Sequence, residues 1–473
     1  MATENNPEGD QTVPVGEELR APPPHEATRS FLSGMRGFTI VWIGQLISLL
    51  GTGMTRFALT IWAWQVTGEA TALALVGFFT FAPTVLMSPV AGALVDRWNR
   101  KLVMMLSDLA AGISTAVILI LHAGGVLEIW HLYVMGAFSG IFQAFQFPAY
   151  SAAVTLMIQK EQYGRANGMI GLAGSASNIV APIFAGILMG TIGITSIMAF
   201  DVFTFIVAII ALLLVRIPQP IPSKEGRELK PSLWRDSLYG FKYIYERPSL
   251  LGLLLVFLAV NLTLSISFTL LAPMILARTG NNSMVLGTVQ SAFGVGGVVG
   301  GLIMSAWGGP RRRINGVLIG MALQFVFGQI LMGLGRGPYV WAAAAFSILF
   351  LLPIVNGCSQ AIWQAKVPPA VQGRVFATRR LIAQISNPVG TILAGPLADY
   401  VFGPAMMPGG ILTPVFGWLV GAGTGVGISL MFVITGALGT IVSIGAYAFR
   451  AIRNIEDILP DHDADKEQEI AAR

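Results

Sequence analysis

Ionisable residues lie inside long apolar stretches of this chain, among them Arg56 in the run 37–63 and Asp201 in the run 195–216. A charged side chain in hydrocarbon costs about 2.5–3.5 kcal/mol or more, so each needs water, a partner or a ligand. Arg56 has three readings: it faces a cavity and binds an anionic substrate, it pairs with a carboxylate, or it snorkels to the outer interface. Asp201 is either a proton carrier or a hydrogen-bonding partner for a backbone end. A third set of charges crowds the segment GALVDRWNRK, 92–101, where Asp96 stands among Arg97, Arg100 and Lys101. Gly92 lets a neighbouring helix approach, and Asn99 accepts the left-handed conformation that a short reversal uses. A loop that only anchors the chain needs the cations. Asp96 is left unexplained by an anchor.

Amides form the next set. Gln45, Gln143, Gln146, Gln360 and Gln364 all fall in apolar runs. Gln143 with Gln146 and Gln360 with Gln364 have the three- and four-residue spacing that puts two side chains on one helix face. Both substrate contact and interhelical hydrogen bonding fit them. Trp42, Phe142, Phe147 and Trp363 supply either an apolar wall or part of an aromatic interface belt. Four scattered histidines and a single cysteine, Cys358, offer no metal-ligand spacing and no intrachain disulfide. No GxxxxGK[ST] segment and no nucleophile–base pair are present, so neither a metal, nor a cofactor, nor an enzymatic activity is expected.

These residues need a scaffold, and composition names its solvent. Hydrophobic residues make up 54% and charged residues 11% of the 473, against about 25% charged in soluble domains. Twelve apolar runs, 37–63, 72–95, 102–123, 130–157, 166–190, 195–216, 249–277, 284–307, 314–335, 339–365, 375–402 and 423–449, are each long enough to cross a bilayer as a helix. All 29 Lys and Arg except Arg56, Arg278 and Arg336 fall in the tails, in the even-numbered connections or in the ends of the runs beside them. Positive loops stay cytoplasmic, which predicts both termini inside. The net charge of +5 then reflects loop bias and contact with anionic membrane lipids, not nucleic acid.

The chain divides into a disordered arm (1–36), a first six-helix half (37–216), a linker (217–248), a second half (249–449) and a charged tail (450–473). The linker's end places Leu233, Leu238, Phe241, Ile244 and Tyr245 on one side of an expected interfacial helix. Gly164-Arg165 recurs as Gly373-Arg374, Ser177-Asn178 as Ser386-Asn387, and Ala185-Gly186 as Ala394-Gly395, at one constant offset. Such duplication builds carriers whose substrate site lies at mid-membrane between the halves.

The 92–101 segment resembles the signature loop of the major facilitator superfamily, G-x-x-x-D-[RK]-x-G-[RK]-[RK], with Asn99 in the usual glycine place. The resemblance implies an all-α, twelve-helix membrane protein of two pseudo-symmetric halves. It also implies that the loop latches the cytoplasmic ends of the halves when the carrier is open outward. The second copy, 301–313, has Ser305 where Asp96 would align. The latch is therefore expected in the first half, answered by Arg374, Arg379 or Arg380, with Asp108 as a further carboxylate of that cluster. The segments 145–169 and 363–377 and the opening WIGQLISLLGTGM resemble the drug:proton antiporter subgroup that contains macrolide and enterobactin exporters. Many members carry an Asp after the glycine matching Gly51, and Thr52 stands there instead. Asp201 resembles an Asp found in that subgroup. These resemblances imply a monomeric, proton-coupled exporter of amphipathic small molecules in a bacterial plasma membrane. Export of a siderophore and carriage of a lysophospholipid-like lipid stay open. A non-transporting receptor or scaffold on the same fold would have no use for Asp96.

Overall fold

The computed structural model describes residues 34–95, 98–159, 162–217 and 240–461. Twelve long helices carry the fold: α1 (Gly34–Thr67), α2 (Ala70–Val95), α3 (Arg100–Ala123), α4 (Ile129–Met157), α5 (Tyr163–Thr191), α6 (Gly193–Leu214), α7 (Pro248–Thr279), α8 (Ser283–Trp307), α9 (Arg313–Leu334), α10 (Pro338–Lys366), α11 (Pro369–Pro396, continuing to Ala405) and α12 (Val426–Gly445). No strand occurs among the described residues. Eleven of the helices are long and apolar enough to cross a membrane. The remaining one, α4, has the length, 29 residues, but Gln143 and Gln146 dilute its apolar character.

Helix limits fall within a few residues of expectation except at two places. Helix α1 begins at Gly34, so the last three residues of the expected arm are helical. Helix α11 begins at Pro369 rather than near 375, because proline in the first turn loses no intrahelical hydrogen bond and has its φ already set. Two π-helical turns, Phe325–Ile330 in α9 and Leu397–Phe402 in α11, and a short helix at Thr413–Val420 have no sequence signal. Most of the linker, 218–239, lies outside the described residues. Its described end, 240–245, is helical, with Tyr243 and Ile244 buried and Phe241 and Tyr245 exposed.

Both ends of the described chain, Gly34 and Asp461, lie on one side of the bundle, here the tail face; the opposite side is the far face. Apolar packing differs sharply between them. At the tail face each half has its own core: Phe38, Met104, Phe145 and Leu212 in the first half, and Ile244, Leu253, Phe325 and Trp363 in the second. Toward the far face a single core joins both halves, with Phe57, Ile61 and Met198 packed in one cluster with Leu270, Met274 and Trp341. Hydrogen bonds between the halves reinforce this region: Asp399 with Ala70 and Thr71, Ser283 with Gly186, and Ser291 with Ile179.

The tail past α12 docks on the second half. Two short helices, Arg450–Arg453 and Ile455–Ile458, bring the Glu456 carboxylate to the start of α9, where it accepts from the backbone amides of Arg313 and Ile314 at 3.1 Å each. That is an N-cap supplied from a distant segment, favoured by the helix dipole. Arg312 pairs with Asp457 at 2.7 Å, and the buried Lys366 reaches Asp461 at 2.8 Å.

Candidate functional site

A cavity of about 390 Å³ opens between α1, α5, α7, α8 and α10, within the range that holds a drug-sized ligand. Arg56 lines it. At about 1.5 Å per residue, Arg56 sits roughly 16 Å short of the far-face end of α1 at Thr67. Its side chain is exposed to the cavity and makes neither a hydrogen bond nor an ion pair among the described residues. Ser175 and Asn178 from α5 and Gln290 from α8 add polar groups, while Phe57, Phe268, Leu271, Phe293 and Leu349 form apolar walls.

Asp201 lies behind this cavity, fully buried. Its carboxylate accepts from the hydroxyl of Thr115 on α3 at 3.1 Å and, at 3.4 Å each, from Thr52 on α1 and Thr204 on its own helix. Arg56 lies within its electrostatic range but not in ion-pair contact. The approach of α1 to α6 requires Gly51, because a β-carbon there would lie 2.8 Å from Asp201 Oδ1 and against Thr204 Oγ1. Gly51→Ala is therefore expected to destabilise the protein by about 1–3 kcal/mol. A lower melting temperature of the purified variant would show it, and an unchanged one would contradict the packing.

The sequence-predicted amides sort differently from their spacing. Gln45 donates to Asp108 Oδ2 at 2.8 Å, and Gln146 donates to Asp108 Oδ1 at 2.8 Å and to Gln45 Oε1 at 3.1 Å. This triad ties α1, α3 and α4 together inside the first half. Gln360 and Ser359 on α10 each accept from Arg379 at 3.0 Å, and the guanidinium lies 5.1 Å from the Trp363 ring centroid. Trp363 itself is buried, and Gln143, Gln364 and Arg380 are exposed. Of the residues expected at the cavity, Arg56 is the one in its lining.

Of the latch segment, Asp96 and Arg97 lie outside the described residues, as do the side-chain surroundings of Gly92 and Arg374. Lys101 is described: its ammonium donates to the carbonyls of Leu213 at 3.1 Å and Val215 at 2.9 Å, capping the end of α6. Asn99 caps α3 by accepting from the amide of Leu102. It does so from extended backbone, so the left-handed conformation expected of it is not used here.

A carboxylate without any signal in the sequence holds the opposite end. Asp399, in the π-turn of α11, accepts from the amides of Ala70 and Thr71 at 3.0 and 2.7 Å and from the Thr71 hydroxyl at 2.6 Å. The second half thus caps the N-terminus of α2 in the first. Gly395, one turn earlier, permits the contact, since a β-carbon there would strike the Thr71 backbone. Ser175, Asn178 and Gln290 are equally inconspicuous in the sequence. The one signal for them is the Ser-Asn repeat at 177–178 and 386–387.

Two six-helix halves that share one core toward the far face, keep separate cores at the tail face and border a cavity between them have the architecture of a transport protein. The chain belongs to the Major Facilitator Superfamily, whose family profile matches residues 41–391. It is 27% identical over 372 residues to macrolide efflux protein A of Streptococcus pyogenes, covering 77% of this chain and 90% of that protein. It is 26% identical over 371 residues to the multidrug efflux pump Tap of Mycolicibacterium fortuitum, covering 76% and 88%. Against the enterobactin exporter EntS of Escherichia coli O81 the figures are 22% over 427 residues, 86% and 93%. Among solved structures, an inward-facing, unoccupied bacterial homologue of the human lysosomal transporter Spinster superposes with a TM-score of 0.63 at 16% identity, over 88% of this chain and 97% of that one.

Proposed function

We propose that this protein is a proton-coupled exporter of amphipathic small molecules, working by alternating access in a bacterial plasma membrane with both tails in the cytoplasm. The observation that carries the reading is the split in packing: one shared core toward the far face, two separate cores at the tail face, and the Arg56 cavity between the halves. Such a molecule is closed outward and admits cargo from the cytoplasm. The charge asymmetry of the loops supports the orientation, and relatives named as macrolide, multidrug and enterobactin exporters support the direction.

In the export stroke the far-face contacts part and the tail ends close, with Asp96 latching onto the arginines of α11. The parking of Arg379 on Gln360 and Ser359 supports this, since it leaves that guanidinium inside its own half in the inward-open state. One charge crossing 100 mV supplies about 2.3 kcal/mol, which sustains a cargo gradient of roughly 40-fold. The test is uptake into inside-out vesicles of a panel of amphipathic compounds, with and without an imposed pH gradient. Accumulation that collapses with the gradient is expected. Gradient-independent equilibration of every compound would overturn the coupling.

A further inference from the structure

We propose that the cargo site selects an amphipathic anion, with Arg56 binding its carboxylate, phosphate or sulfate group. The inference rests on the cavity being the cargo site and adds what that cargo is. Three observations converge on it.

The first is charge. Among the described residues that line the cavity, Arg56 is the one charged group, and no Asp or Glu faces the space. The Asp201 carboxylate is turned away into its ring of threonine hydroxyls, fully buried. A cationic guest would meet a like charge with no acid in the lining beside it; an anionic guest meets a fixed counter-ion.

The second is the open guanidinium. An arginine at this depth is costly unless it is compensated, and the Arg56 side chain makes no ion pair or hydrogen bond among the described residues. Arg379, also set among helices, has Gln360, Ser359 and the face of Trp363. Arg278 has Gly335 and Ser429. Arg56 differs from both, and a planar fork of donors left open toward a cavity is suited to the two oxygens of an acid group.

The third is the division of the walls. Polar side chains that accept and donate, Ser175, Asn178 and Gln290, stand in the lining with Arg56, whereas Phe268, Leu271 and Leu349 line it from α7 and α10. The first half supplies the charge with Ser175 and Asn178, and the second half supplies Gln290 and most of the apolar wall. A molecule with an acid head and an aromatic or aliphatic body spans the junction and touches both halves, which is what closing them around cargo requires.

The experiment uses three probes of one shape and different charge: pyrenebutyrate, pyrenebutanol and pyrenebutylamine. Their binding is read by fluorescence anisotropy on the full-length protein in zwitterionic lipid nanodiscs, after subtraction of protein-free discs. The wild type is expected to hold pyrenebutyrate about 10- to 100-fold more tightly than the alcohol, the range of a charge-assisted hydrogen bond, with the amine weakest. Arg56→Gln should erase the difference between acid and alcohol. Arg56→Lys should restore part of it, because it keeps the charge and loses the fork. Equal binding of the three probes by the folded wild type overturns the proposal without relying on any variant. So does unchanged acid binding in an Arg56→Gln protein of normal melting temperature.

Repeating the measurement in discs containing phosphatidylglycerol separates two sources of the same chemistry. Displacement of pyrenebutyrate identifies an anionic membrane lipid as the natural occupant, and retention identifies a soluble amphiphile. Because binding needs no gradient, anion selectivity without vesicle uptake would refute the exporter reading alone. Gradient-driven uptake of acid and alcohol alike would refute the anion site alone.

Discussion

Asp399→Ala is expected to shift the carrier from closed to open at its far face. The carboxylate bridges the halves through two backbone amides and one hydroxyl at the start of α2. An N-cap is worth about 0.5–2 kcal/mol, and a charged acceptor puts this one toward the upper end. Helix α2 keeps its own turns, so the loss falls on the contact between halves. One to two kcal/mol corresponds to about a 5- to 30-fold change in the ratio of the two states. Spin labels on cysteines replacing Val126 and Tyr339, both exposed, report it in a Cys358→Ser background. The distance distribution should gain a longer component in Asp399→Ala and an intermediate one in Asp399→Asn, which keeps one acceptor oxygen. Identical distributions in all three proteins would remove Asp399 from the gate.

Asp399 also shows what a sequence conceals. The twelve runs, the six-and-six division and the depth of Arg56 are legible, because each depends on residue type along one helix and on the high cost of polar groups in lipid. Which face a side chain takes is set by tertiary packing, and there spacing arguments run out. Gln143 and Gln146 share a helix face by spacing, yet Gln146 turns inward to Asp108 while Gln143 stays exposed. Nearness to the tail-face end of α3 groups Asp108 with the latch arginines; two glutamines from neighbouring helices hold it instead. Asp399 is aimed by a π-turn, a backbone feature that no residue in LADYVF announces. The polar cavity residues of α5 and α8 are small or single and carry no periodic signal. The Gly51 approach, by contrast, follows from the buried acid: a helix can reach Asp201 closely only where it has no β-carbon.

Asp108→Asn is expected to abolish accumulation driven by a pH gradient while leaving exchange of cargo across the membrane intact; Asp201→Asn is expected to leave the drive in place. Both carboxylates are buried, and the sequence offers Asp201 as a candidate proton carrier or as a partner for a backbone end. Electrostatics separates them. Asp201 acts on Arg56 through its charge, so a proton on Asp201 removes a negative charge that competes with bound anion. Proton and anion would then favour each other, and by reciprocity each would tighten the other's binding. That linkage suits co-transport in one direction. An exporter that exchanges proton for cargo needs the two to exclude one another.

Asp108 is instead tied to the cavity helix α1 through Gln45. It is gripped by Gln45 of α1 and Gln146 of α4, and Gln146 Oε1 is buried with no partner among the described residues. Protonation turns one carboxylate oxygen into a donor, which an acceptor such as this oxygen can take once the amide turns over. The rearrangement shifts the grip on α1, the helix that carries Arg56 about three turns further on. Asp201→Asn should fold, since threonine hydroxyls can donate to the amide oxygen or accept from its nitrogen. With the negative charge gone, that variant should also bind pyrenebutyrate more tightly than the wild type. The opposite pattern, with loss of drive in Asp201→Asn and its retention in Asp108→Asn, would put the proton beside Arg56 and make this carrier a co-transporter of proton and anion.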